Sequence, residues 1–173
     1  NPAWITTLDF KVAGDLIYVL GQTSKAFNGS ELQKMQTGRV EGKLFDFDLH
    51  YEQEQQKLVT SLIHAGLLTS AHDLAEGGLA VGLAESAFAG EIGFDVQTDL
   101  TAAELFAENQ SRFIVTIAPE DQKTFEEQAN GNATLLGQVG GNRIKITATD
   151  DAIDVDLEQI KASWKGALAW QLN

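Results

Sequence analysis

The stretch Ser70-Ala71-His72-Asp73-Leu74-Ala75-Glu76-Gly77-Gly78 lies between a short apolar run, Leu67-Leu68, and a helix-patterned run from Leu79 to Phe88. A strand that ends in His-Asp and reopens as a helix gathers carboxylates, an imidazole and unpaired backbone N–H groups at one point, which suits a phosphate and its metal. Asp73 and Glu76 also have the three-residue spacing of a capping box, and His72 can bond a carbonyl at the strand end. Spacing leaves both readings open. The paired glycines favour a ligand, because a cap has no need of two residues that each cost about 1 kcal/mol relative to alanine inside a helix.

On either side of this stretch the pattern of strand followed by helix recurs. Asp15 to Leu20, closed by Gly21, reads as a buried strand, and Leu67 to Ser70 as a short strand leading into the turn. Between them Gly29-Ser30 opens a helical turn; Ser30 can cap that helix, and the pair can instead receive a phosphate oxygen. Leu58, Val59, Leu62 and Ile63 mark a helix over 51–65, with Glu52 and Glu54 in its first turn. His50 and His64 flank this helix without forming a metal-binding pair on one face. The helix from Leu79 has small residues, Gly78 and Gly82, four apart, which permit close approach to a sheet, and its Glu85 reads as a solvated side.

Downstream, 92–96 alternates as a half-buried strand, Leu105-Phe106 belongs to a short helical piece, and Phe113 to Ile117 is a further strand. The polar group Glu108-Asn109-Gln110-Ser111-Arg112 precedes that strand and is thereby placed at the rim of a sheet. Glu108 can bind Mg²⁺ through water, Gln110 can hydrogen-bond a polar substrate, and Arg112 can pair with a phosphate or with an acid. Pro119-Glu120-Asp121 opens a helix through Ala129. Three strands follow, 135–139, 144–148 and 153–155, with Gly140-Gly141-Asn142 as a hairpin signal between the first two, and then a helix over 157–168. The sum is an α/β chain with strands and helices interleaved around one sheet.

The 173 residues suffice for one core and are too few for two, so 14–173 is expected to be one domain, with 1–13 a lead-in whose order depends on a partner surface. Twelve Lys and Arg stand against 25 Asp and Glu, a formal charge of −13, which disfavours nucleic acid and anionic membranes as partners. A phosphorylated ligand then needs Mg²⁺, local cations or helix N-termini. There is no cysteine, which excludes disulfides and thiolate chemistry, and no run long enough to span a bilayer. A cytoplasmic location is the resulting expectation. No Walker-type loop, dinucleotide fingerprint or serine-histidine-acid series is present.

The run from Ser70 to Ala80 resembles the second-half signature of the phosphoribosylformylglycinamidine synthase family. Three further stretches agree with that family in order and spacing: Val12-Ala13-Gly14-Asp15-Leu16-Ile17-Tyr18-Val19-Leu20-Gly21, Gly29-Ser30-Glu31-Leu32-Gln33 and Ser111-Arg112-Phe113. The resemblance implies the last of four domains in an ATP-dependent ligase that converts formylglycinamide ribonucleotide to its amidine. It implies a three-layer α/β/α fold with a mixed sheet, partly ferredoxin-like, of the aminoimidazole ribonucleotide synthetase C-terminal type. Mg²⁺ and ATP or ADP are the implied cofactors. The implied partners are the preceding domains, an ammonia-delivering glutaminase subunit and a small accessory subunit.

Carried over by position, Asp73 matches a metal-binding aspartate of the family's first half. Glu108-Asn109-Gln110 matches a Glu-Ser-Gln substrate motif, with Asn109 in place of serine and Arg112 completing it. His72, Glu76, Gly77, Gly78, Gly29 and Ser30 then line an auxiliary nucleotide or phosphate site. No catalytic residue is assigned, so the chain alone is expected to be inactive, and its Trp4-Ile5 patch is expected to favour self-association. Rival readings are a related synthetase for selenophosphate, thiamine phosphate or hydrogenase maturation, and a non-catalytic interaction module of the same fold.

Overall fold

The computed structural model describes residues 5–43 and 47–171, the side chains of 167–171 excepted; Trp4 lies outside that set. In chain order the strands are β1 (Leu16–Leu20), β2 (Ser70–Asp73), β3 (Phe94–Gln97), β4 (Phe113–Ile117), β5 (Ala133–Val139), β6 (Arg143–Thr147) and β7 (Ala152–Asp156). The helices are α1 (Glu31–Thr37), α2 (Leu49–His64), α3 (Gly78–Gly90), α4 (Gln122–Ala129) and α5 (Leu157–Gln171). They build one mixed sheet in the order β2-β4-β1-β5-β3-β6-β7, antiparallel throughout except for the parallel pair β3 and β6.

β1 is apolar at all five positions because both of its faces are covered. Ile17 and Val19 point into one core with Leu79, Leu83 and Ala87 of α3, whereas Leu16, Tyr18 and Leu20 point into a second core with Val59 and Leu62 of α2 and Phe125 of α4. Gly82 makes the close approach of α3 to the sheet possible: a Cβ there would come within 2.6 Å of the Leu74 side chain and 3.0 Å of Ile114. The succession β1-α2-β2, then β4-α4-β5, with the order β2-β4-β1-β5, is the split βαβ arrangement of a ferredoxin-like unit. α3 and β3 are inserted between its halves, and β3, β6 and β7 extend the sheet. Among the described residues only the α3 and α5 side of those three strands is covered, so the three-layer expectation holds over the ferredoxin-like half and gives way to two layers beyond it.

Several local expectations are corrected. The strand read at Leu67 to Ser70 begins at Ser70 and takes in His72 and Asp73, because pairing with β4 occupies their backbone groups. Gly140-Gly141-Asn142 does not close a hairpin: β3 lies between β5 and β6, and Gly93 exchanges backbone hydrogen bonds with Gly140 and Gly141 at 2.7 and 2.8 Å. A local turn signal carries no information about a strand that slots in from elsewhere. The tail hairpin is β6 with β7. Within the expected lead-in, Phe10 is 1% exposed and edge-on to Phe94, and Thr7 accepts a hydrogen bond from the Ala71 N–H of β2. The packed unit therefore begins before Gly14.

Candidate functional site

β2 and β4 are antiparallel neighbours, and so the end of β2 lies beside the start of β4. That pairing brings together the two polar stretches singled out in the sequence: a cleft of about 370 Å³ is lined by Asp73, Glu76, Glu108, Gln110, Arg112 and, from α2, Glu52. The carboxylates dominate, which suits a hard cation and opposes a bare phosphate. A larger hollow, about 730 Å³, reaches this region at Thr23 but is walled mainly by threonine, glutamine and aliphatic side chains, with Asp99 its lone charged group.

Asp73 is the last residue of β2, with a side chain 76% exposed and one carboxylate oxygen 3.7 Å from His72 Nδ1. It does not cap α3, whose N-cap is Gly77 in the left-handed conformation, and the capping-box reading of Asp73 with Glu76 fails. The paired glycines have their own structural reason. Gly77 and Gly78 adopt φ of 77° and 63°, and a Cβ on Gly78 would fall 2.4 Å from the Ala107 carbonyl oxygen. They are needed for the backbone path whether or not a ligand binds. Glu76 is exposed at the cleft edge.

His72 bonds a side chain and not a carbonyl: its Nε2 lies 2.9 Å from Glu85 Oε2, in a smaller hollow of about 240 Å³ shared with Asp73 and Glu76. Glu85, expected as a solvated side of α3, is thus the partner of His72. No periodicity could have revealed this, since the pair forms only when α3 folds back over β2.

The segment 108–112 is turned largely inward. Glu108 Oε1 accepts from the Gly77 N–H at 2.8 Å and from the Glu31 N–H at 2.9 Å. Asn109 is buried; its Oδ1 accepts from the Ser24 N–H at 3.1 Å and its Nδ2 donates to Gln22 O at 2.8 Å. Arg112 is 1% exposed and forms the back of the cleft wall, with neutral hydrogen-bond partners. It donates to Asn109 O at 3.0 Å, Thr23 Oγ1 at 3.1 Å and Ala107 O. Burial among these neutral acceptors lowers its pKa to about 10. Gln110 alone of the motif is exposed. Ser111, at φ 65°, donates to Glu52 Oε2, a cleft residue that the sequence presented only as a first-turn acid of α2.

Gly29 and Ser30 lie in the neighbouring loop. Ser30 Oγ accepts from the Gln33 N–H at 3.1 Å and donates to Phe27 O at 2.6 Å, while the Gly29 N–H is held by Gln33 Oε1 at 2.9 Å. The capping role is therefore filled by Ser30. Among the described residues no three His, Asp or Glu side chains form a metal cluster, and no helix is long and apolar enough to cross a membrane.

Comparison with known proteins supplies the lineage. Over 169 residues the chain is 47% identical to the phosphoribosylformylglycinamidine synthase subunit PurL of Leuconostoc mesenteroides, covering 97% of this chain and 23% of that relative. The fold matches Thermotoga maritima PurL complexed with FGAR at a TM-score of 0.78 and 19% identity, over 91% of this chain and 29% of that one. It also matches the Escherichia coli hydrogenase maturation protein HypE at 0.63 and 15% identity, over 88% of this chain and 52% of that one. At such identities the last two likenesses concern the fold alone. A family model described as AIR synthase related protein, C-terminal domain, matches residues 12–148, and the chain belongs to that family.

Proposed function

We propose that this chain is the C-terminal domain of a phosphoribosylformylglycinamidine synthase, acting within an ATP-dependent ligase that forms an amidine from formylglycinamide ribonucleotide and ammonia. The observation that carries this reading is the 47% identity to a PurL subunit over 97% of the chain. The chain spans only 23% of that relative, so the reacting groups are sought in the remainder of the parent protein.

In this reading the cleft between β2 and β4 is an auxiliary nucleotide site. Asp73 and Glu76 present exposed carboxylates at its edge, the kind and number of protein ligands that Mg²⁺ takes when phosphate and water complete its shell. Bound there, the ion would supply charge neutralisation for a nucleotide phosphate. The chain's own residues orient: Gln110 is free to hydrogen-bond, and Arg112 holds the rim from behind. Neighbouring domains of the same synthetase, a glutaminase subunit and a small accessory subunit are the proposed partners, and the cytoplasm the proposed location.

The test is an exchange of domains. With this chain replacing the matching segment of Leuconostoc mesenteroides PurL, ATP-dependent amidine formation from ammonia should persist; a folded hybrid without it would overturn the reading. In that hybrid Asp73→Asn should leave circular dichroism unchanged and reduce magnesium-dependent nucleotide retention by tenfold or so, the loss of one anionic ligand. Unaltered retention would remove Asp73 from the site.

A further inference from the structure

We infer that Glu108 is a positioning residue, which ties the turn at Gly77 to the start of α1 through a single carboxylate oxygen. Both N–H groups it receives belong to helix beginnings: Gly77 is the N-cap residue of α3 and Glu31 the first residue of α1. Helices leave such groups unpaired, and a carboxylate beside them gains from the partial positive charge of each helix end. Gly77 has no side chain with which to cap α3, and its own N–H is held from a different element. α1 buries none of its residues, so its place against the turn depends on polar contacts rather than on core packing.

Asn109 and Arg112 continue the same work on residues 22–24 and 107–109. A motif that resembles a substrate contact is here directed into its own rim, with Gln110 left facing the cleft. Three chain segments, 22–31, 75–78 and 107–112, are thereby locked to one another around the candidate nucleotide site. The tie itself is independent of the parent's reaction; its effect on nucleotide retention rests on the function proposed above.

Hydrogen exchange at single-residue resolution in the full-length protein that carries this chain tests the tie. In Glu108→Ala the Gly77 and Glu31 amides should both exchange about tenfold faster or more, since each loses a charge-assisted hydrogen bond. In Glu108→Gln the side-chain oxygen can still accept both N–H groups, so both amides should stay protected and bound ATP should be retained. Gln110→Ala should leave both amides unchanged. Unchanged exchange in Glu108→Ala, or acceleration at only one amide, would overturn the tie. Protected amides with lost nucleotide in Glu108→Gln would replace positioning by direct ligand contact. Should Glu108→Ala fail to fold, Glu108→Asp, whose carboxylate is one methylene short of the two N–H groups, should speed exchange at both amides, and unchanged exchange there overturns the tie. A wild-type protein that retains no nucleotide would defeat the proposed function, while the two amides still decide the tie.

Discussion

Two parts of one sheet live in different surroundings. β4 and β1, with β2 at their edge, lie between α3 on one side and α2 with α4 on the other, whereas β3, β6 and β7 are covered on one side and, among the described residues, open on the other. The strand sequences record the difference. Leu16–Leu20 and Phe113–Ile117 are nearly continuous apolar runs, while Phe94–Gln97 and Arg143–Thr147 alternate, turning Asp95, Gln97, Lys145 and Thr147 to the open side. There, charges answer one another as they do on any wet surface: Arg143 with Asp154 at 2.5 Å and Lys145 with Asp95 at 4.0 Å. The candidate cleft lies at the end of the doubly covered part, where its walls rest on the more confined strands.

The largest effect is expected at the centre of the doubly covered strands. Leu20→Ala removes a fully buried side chain from β1 and should destabilise the fold by about 2–5 kcal/mol in urea unfolding. A loss as small as that from an open-side substitution would mean the two parts do not differ as described. Next in size, Gly78→Ala should cost about 1–3 kcal/mol through its positive φ, with further loss from collision with the Ala107 carbonyl. A neutral result would place the site turn on a softer footing than the geometry requires.

Asp15 makes the confined core sensitive to pH. It precedes β1, is 3% exposed, and its Oδ2 has no hydrogen-bond partner; burial raises its pKa. A carboxyl whose pKa is higher folded than unfolded gives its full stability below the unfolded value and loses it as pH rises through the folded one. Asp15→Asn should therefore stabilise the chain near neutral pH and flatten the decline of stability in the acid-to-neutral range. A destabilised variant there would show that the buried charge has a partner worth more than its desolvation. The smallest effect is on the open side, where Lys145→Ala should change stability by no more than about 0.5 kcal/mol. A larger loss would reveal that something covers that side.

What could be read from the sequence follows the range of the forces involved. The strand at Phe113–Ile117, the cap at Ser30 and the end of α4 at Asn130 are set by neighbours in sequence, and each stands where the residues place it. The start of β2 and the separation of β5 from β6 depend on strands that arrive from distant parts of the chain, and local turn chemistry pointed elsewhere. The cleft repeated this division. Its two wall segments were recognisable as polar stretches at a sheet rim, but the assignments of Glu108 and Arg112 to ligand contact missed their partners. Gly77, Glu31 and Thr23 are brought to them by folding alone. Glu85 and Glu52 gave no signal, since an acid on a helix looks the same facing water or facing a histidine.

The central strand also has a history that the finished sheet conceals. Leu16–Leu20 finds its sheet partners only in β4 and β5, roughly a hundred residues further along the chain, and a ribosome needs about 5–20 s to make that much polypeptide. Throughout that interval five consecutive apolar residues, with both backbone edges unpaired, emerge and wait. Such a segment is the kind that adheres to its own copies or to a holding chaperone before it meets its mates. Slowing synthesis between β1 and β4 would lengthen the wait, and yield in the cell would come to depend on translation speed as well as on the stability of the fold.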